Sequence, residues 1–453
     1  MALVDELILG KPSMDPFEKL TLASEFPAPF TWAFEGVCRV EHDGAVWERK
    51  IAASWNDSGS GMLDDADHAI WEIAMRGRLG DRAPTITVAA LDGTWSIPHV
   101  HPETRNSEGQ TRLLWHRMWH RTSEAPIAAT VFYLPNSPPI IYPDHLPVVE
   151  GVFGRSTGEN ALRTTLFARE ALLRSMEIGS IRYLVVAYDG EPFDEDCLVS
   201  HLTVLSFVLG RELDVRAQVS VDANGKMVER RLWTPVAPLE QKARPAIQFL
   251  VPTNTAALGM FLGTMVERAR RWRFDENAPI DVAVKYLLRW NGEQLDLEIR
   301  DITSALNVVI ESPAFGAKHE PVVDKKVFKP VWKHMKTVIK ALPNDVPQRL
   351  RDRLCERIKE ANDVTASEHR RRFWKAVRFK PTKTERLALE RRHVMAHAGF
   401  IDTEDSAKER ALYDDIRITR TIANESFLAL LGYDGLMIDY TQDPDRALRG
   451  RQS

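Results

Sequence analysis

Residues 390–399 read Glu-Arg-Arg-His-Val-Met-Ala-His-Ala-Gly. Two guanidinium groups and two imidazoles thus fall within about three turns of a helix. An imidazole that titrates near neutral pH can take up or release a proton, which is what acid–base work on a phosphodiester requires. A fixed guanidinium can clamp phosphate oxygens and offset the negative charge that builds up in the transition state. At ~100° per residue, His393 and His397 lie about 40° apart and share a face, whereas Arg392 and His397 lie about 140° apart. A single straight helix does not aim the last two at one atom. Either the helix distorts near His397, or the long arginine wraps round, or a second copy of the chain completes the site.

The helix that must carry these groups has readable ends. Thr382 or Thr384 can cap it after Pro381. An apolar stripe through Leu387, Leu389, Val394 and Met395 gives it a buried side, and Gly399 ends it. His397 then sits in the last turn, where the helix dipole favours a protonated ring. The plainer account of the same residues is a helix end whose cations pair with Glu390, Asp402 or Glu404.

The surrounding charge favours a phosphate-binding surface. The chain of 453 residues has a formal net charge of −4, yet residues 321–400 hold 21 Lys and Arg against 9 Asp and Glu. Within that segment, "SEHRRRFWKAVRFK" sets Arg370, Arg371, Arg372 and Lys375 among Phe373, Trp374 and Phe379. Such a stretch can hold an RNA strand by charge and stacking. Alternatively, its aromatic residues are the core side of an amphipathic helix.

Further back, the first half of the chain reads mostly as strand. "FTWAFEGVCRVEHDGAVWERKIAASW", "PTITVAALDGTWSIPHV" and "LDVRAQVSVDANGKMVERRLW" alternate apolar and polar residues around Asp-Gly or Asn-Gly turns, the strongest short-range hairpin signal. Helices are expected at "ENALRTTLFAREALLRSMEIG" and, buried, at "SHLTVLSFVLGREL". Three prolines in residues 234–245 break the pattern. Beyond them the spacing is helical almost throughout, with a break expected at Pro330. The expected fold class is therefore an α+β multidomain chain, with a β-rich mixed domain over 1–240 and an all-α bundle over 245–453 whose core is about 275–435. No apolar run approaches the ~18 residues of a membrane span. The N-terminal stretch lacks the basic region of a secretory signal. Three scattered cysteines (Cys38, Cys197, Cys355) form no disulfide or zinc pattern. A cytoplasmic protein without a membrane segment is expected.

"ERRHVMAHAGFID" resembles the signature of HEPN domains (higher eukaryotes and prokaryotes nucleotide-binding). In that family an arginine is followed by a polar residue and, four to six positions after the arginine, a histidine. The resemblance places the arginine at Arg392, with Arg391 also within the spacing, the polar residue at His393 and the histidine at His397. "DVAVKYLLRW" and the helix through "ITSALNVVIES" are similar to the opening of such a bundle. Asn307 departs from the glutamate that relatives carry there, and Glu311 is the available substitute. The resemblance implies metal-independent RNA cleavage with a 2′,3′-cyclic phosphate product and no cofactor. His397 would act as acid or base, Arg392 would stabilise the transition state, and His393 would orient the RNA. It further implies a site shared across a homodimer. A β-rich half ahead of a HEPN half is similar to some prokaryotic antiviral or toxin-like proteins, so a phage-derived trigger or regulatory partner is expected. A HEPN fold that only binds nucleotide or RNA is the alternative.

A competing cluster lies in the first half. His99 and His101 share a strand face, and His116 and His120, four apart, share a helix face. Such pairs can hold zinc in a metal-dependent hydrolase. No His-Glu-x-x-His signature, P-loop or Gly-x-Ser-x-Gly elbow accompanies them. The expectation is accordingly no metal.

Overall fold

The computed structural model describes residues 32–42, 45–55, 60–64, 85–90, 93–97, 101–105, 110–114, 117–135, 144–145, 150–151, 154–156, 160–178, 181–233, 244–247, 252–289, 295–315, 321–343, 345–362, 366–389, 406–441 and 448–449. The first half is rich in antiparallel sheet and the second half is helical, an α+β chain. It divides into two compact units. One comprises residues up to Leu198 with Val208–Thr264, the other Val199–Phe207 with the residues from Met265 onward. The sequence places the junction at 240–245, beside residues 234–243, which lie outside the described residues; the compact units part later, after Thr264.

Turn chemistry accounts for the hairpins of the first unit. Strand Trp32–His42 pairs with Ala45–Trp55 as far as His42 opposite Ala45, so two residues connect them. In the next hairpin Gly93 is already in the strand, opposite Ala90, with φ +137°. A Cβ there would lie 2.2 Å from the Arg121 carbonyl oxygen, so only glycine lets the strands approach. Strands Ala217–Val221 and Met227–Trp233 close round Asp222, whose carboxylate accepts the N–H groups of Asn224 and Lys226 at 2.9 Å each.

The helix expected at "ENALRTTLFAREALLRSMEIG" is instead a hairpin. Strand Asn160–Leu166 pairs with Arg169–Ile178, and Phe167 and Ala168 turn the chain with φ +48° and +63°. Two consecutive positive φ values make a primed turn that matches the twist of the flanking strands. The spacing misleads because residues four apart share a face in either structure; Leu162 and Leu166 are both buried. Strand Arg169–Ile178 also pairs with Ile181–Asp189 on its other edge.

The helices are α1 (Glu195–Leu209), α2 (Pro252–Arg270, prolonged by a π turn over Arg271–Asp275), α3 (Ile280–Leu288), α4 (Leu295–Ile310), α5 (Lys325–Lys340), α6 (Gln348–Glu360), α7 (Ala366–Ala376), α8 (383–389) and α9 (Ser406–Leu431). Helix α1 is the buried helix expected from "SHLTVLSFVLGREL", capped by Asp194, whose carboxylate accepts the Cys197 N–H at 2.7 Å. Helix α5 runs through Pro330 rather than breaking there. Pro330 is exposed, so water can take up the carbonyl that loses its intrahelical donor.

Helices α3, α4 and α9 share a core. Ile280, Ala283, Val284, Leu287 and Leu288 form the buried stripe of α3, at the spacing of an amphipathic helix. Ile302, Ala305, Leu306 and Val309 do the same on α4. Inside this core Arg420 of α9 donates from Nε and Nη2 to Glu298 Oε1 of α4, at 3.2 and 3.0 Å, and from Nη1 to the Leu287 carbonyl. Helix α9 ends in a Schellman motif: Tyr433 N–H bonds the Leu428 carbonyl, Gly432 N–H bonds the Ala429 carbonyl, and Gly432 has φ +78°. A second cluster is a seam of rings, in which Trp272 stacks on Phe315, Phe315 meets Phe373 edge-on, and Trp374 links Phe373 to Phe379.

These buried groups set two stability expectations. Glu298→Ala leaves a buried guanidinium uncompensated and should cost about 3–5 kcal/mol in urea unfolding, whereas Glu298→Met with Arg420→Met should recover most of that loss. His201 of α1 is wholly buried, its Nε2 has no hydrogen-bond partner, and desolvation lowers its pKa from 6.5 to about 4. The unfolded chain takes up a proton below pH 6.5 that the folded chain refuses until about pH 4. Stability should therefore fall by roughly 3 kcal/mol as pH drops through that window, and His201→Leu should flatten this part of the pH dependence of the unfolding midpoint.

Candidate functional site

The helix leading to the histidine–arginine stretch starts as a capping box. Thr382 Oγ1 accepts the Glu385 N–H at 3.3 Å, and the Glu385 carboxylate accepts the Thr382 N–H at 2.7 Å. Of the two threonines, Thr382 is the cap. Glu385, Ala388 and Leu389 are buried, while Leu387, expected in the apolar stripe, is 42% exposed. Leu387 and Leu389 are two apart, about 200° round a helix, so one apolar side cannot hold both. Arg391, Arg392, His393 and His397 lie outside the described residues, as do Val394, Met395 and Gly399.

Helix α7 carries the other expected RNA contacts, and the structure sorts them. Phe373 and Phe379 are buried in the ring seam, so of the two readings the sequence left open for them, packing in the core is the one observed. Their spacing follows the buried side of an amphipathic helix, and Val377, four after Phe373, is buried with them. Arg371 makes a two-pronged contact with Glu368, from Nε at 2.8 Å and Nη2 at 2.6 Å. Arg372 approaches the same carboxylate at 3.7 Å. The bond from Arg371 holds the Glu368 carboxyl below its usual range, with further help from Arg372. Arg371 is largely exposed, and in water such a pair is weak enough for a phosphate to displace it. Arg370 is half-buried and Lys375 exposed. Asn307 is half-buried on α4 and Glu311 exposed just beyond it.

Among the described residues no group of three or more His, Cys, Asp or Glu could hold a metal ion, and of the four histidines of the first-half cluster only His120 has a described side chain. His99 and His116 lie outside them, and His101 is on strand His101–Arg105. His120 lies on a strand, Arg117–Arg121, not on a helix. It is 1% exposed, and its ring stacks on Trp95 at 4.0 Å and 10°. Trp95 and Arg230 flank His120 in register on the neighbouring strands, and the Arg230 guanidinium lies 4.7 Å from the Trp95 ring centre. The imidazole is thus a packed member of a ring-and-guanidinium layer.

Sequence reasoning missed the buried polar residues of α9: Asp415, Thr419, Arg420, Thr421, Asn424 and Glu425 are all buried, and they lie on several faces of the helix. Thr421 Oγ1 accepts the Tyr440 N–H at 3.0 Å, which ties the segment after α9 back onto the helix. The signal available was the run "ITRTIANES", in which polar residues fall at many angles round the helix instead of along one side.

No family model, curated protein or solved structure matches the chain.

The capping box fixes the start of α8, the helix that leads into the histidine–arginine stretch. Thr382→Ala should lower stability by about 1 kcal/mol in thermal or urea unfolding, and Thr382→Ser should restore most of it.

Proposed function

We propose that the chain is a metal-independent RNA endonuclease of the HEPN type. The observation that carries this reading is the spacing of Arg392, His393 and His397 in the stretch after α8. Three further features support it. The second unit is helical, the lead-in helix has a well-formed start, and the surrounding segment is strongly basic.

In this reading the 2′-hydroxyl of a ribose attacks the adjacent phosphorus. The P–O5′ bond breaks, leaving a 2′,3′-cyclic phosphate and a 5′-hydroxyl. One imidazole accepts the 2′-hydroxyl proton and a proton is returned to the departing 5′-oxygen; His397 serves one of these roles. Arg392 holds the non-bridging oxygens as charge builds on them. His393 orients the RNA, and Arg391 is the second guanidinium within reach. The angular separation of Arg392 and His397 is met by a homodimer in which each chain completes the other's site. The β-rich first unit restrains or triggers the nuclease, as a toxin or defence protein requires, in response to a phage-derived or regulatory partner. The protein works in the cytoplasm; among the described residues no helix is long and apolar enough to cross a membrane.

Incubating purified protein with end-labelled RNA in EDTA tests the reading. Cleavage should proceed and leave cyclic-phosphate ends, and His397→Ala should reduce it by about 10²–10⁴-fold. Activity that EDTA abolishes but His397→Ala spares would contradict it.

A further inference from the structure

Helices α5 and α6 form a hairpin held at both ends. At its tip the Arg351 guanidinium donates to the carbonyls of Lys340, Leu342, Pro343 and Val346, at 2.6–3.3 Å. At its base the Asn362 side chain accepts the Val323 N–H and donates to the Val323 carbonyl, both at 3.0 Å. Asp324 caps α5 by accepting the Lys326 N–H at 2.6 Å.

Helix α5 is sharply two-sided. At ~100° per residue, Lys325, Lys326, Lys329, Lys333, Lys336 and Lys340 fall within an arc of about 100°, and all six are exposed. The apolar residues, from Val327 round to Trp332, occupy a separate arc of about 140°. Within α5 there is no acidic residue. Neighbouring α6 is as basic but interleaves its cations with Asp352, Glu356 and Glu360, and Arg357 pairs with Glu360. That is the ordinary pattern of a solvated helix. On α5 the pairs Lys325–Lys329, Lys329–Lys333 and Lys336–Lys340 are all four apart, so like charges face each other along the ridge and destabilise the free helix by a few tenths of a kcal/mol each. A polyanion laid along the ridge removes that repulsion.

We infer that the lysine ridge of α5 is the surface that holds the phosphodiester backbone of the RNA. The inference rests on the RNA substrate proposed above and moves the main binding surface from α7, where a phosphate must first displace Glu368 from Arg371 and Arg372, to α5, which has no acidic residue within it. The ridge is about 22 Å long, enough to meet several successive phosphates. It supplies point charges, with Trp332 at one border where the Lys336 ammonium lies 5.8 Å from the ring centre, so it binds by charge and not by sequence. A bilayer fits the geometry less well. The exposed apolar residues Val327, Val331, Met335 and Val338 centre about 175° from the lysines, so a membrane that took in the one would not meet the other.

Fluorescence polarisation with a labelled 2′-O-methyl oligonucleotide, which lacks the attacking hydroxyl, tests the inference on the full chain. Combining Lys325→Gln, Lys329→Gln, Lys336→Gln and Lys340→Gln should weaken binding at least about tenfold at 0.15 M salt and flatten the slope of log K against log salt by roughly 3. Acylation of the unmutated chain gives a second readout, since bound oligonucleotide should protect the α5 lysines. Unchanged affinity and slope in the fourfold variant, or no protection in the bound state, would overturn the inference even if the chain cuts RNA. Lysine-dependent binding without cleavage would uphold it while the nuclease reading fails. Lysine-dependent capture by phosphatidylserine vesicles, with no oligonucleotide binding, would overturn it.

Discussion

Arg420 and Glu298 stand 122 residues apart in the chain, and their side chains are 3% and 1% exposed. Neither charge could be buried alone; each is tolerated because the other meets it, and because the Leu287 carbonyl takes a further guanidinium N–H. One contact thus joins the end of α3, the start of α4 and the middle of α9. Apolar stripes on those helices would pack in several rotations, but a buried pair with directional bonds admits far fewer. Around it α9 buries polar side chains on several faces and ends in a Schellman motif. Both make the helix specific in its placement.

The ring seam from Trp272 to Phe379 does related work for the basic segment. It takes Phe373 of α7 into the core, so Arg371 is left at the surface and Arg372 half-buried, both beside Glu368. The α5–α6 hairpin is held by Arg351 and Asn362 through backbone groups, which leaves the lysines of α5 at the surface. Positive charge on this segment is therefore of two kinds: some is compensated locally and some is not. Where it is uncompensated, a polyanion has the most to gain.

How much of this was legible depended on whether the governing interaction is local. The Asp-Gly and Asn-Gly hairpins, the helix over α3 and Thr382, one of the two caps offered for α8, depend on residues within a few positions of each other, and they were legible; the reciprocal Glu385 bond and the buried stripe of α3 were not foreseen. Leu162 and Leu166 misled because a separation of four suits a strand as well as a helix, and the deciding feature was the backbone of Phe167 and Ala168. The roles of Phe373 and Phe379 could not be settled from composition, since a stacking platform and a packed core use the same rings. The Arg420–Glu298 pair was invisible because nothing in the sequence couples positions so far apart. Of the candidate site, residue types and spacing were legible, and the lead-in helix has its expected start. The relation of Arg392 to His397 is not a property of spacing alone.

That relation is the core of the proposed chemistry, and mixing two impaired variants tests it most directly. Arg392→Ala and His397→Ala should each be nearly inactive alone. If one chain's arginine works with its partner's histidine, exchanged mixtures should regain about a quarter of the unmutated RNA cleavage, because half the dimers are mixed and each holds one intact site. A mixture as inert as its parents would contradict the shared site, and full activity in either parent would contradict the chemistry itself.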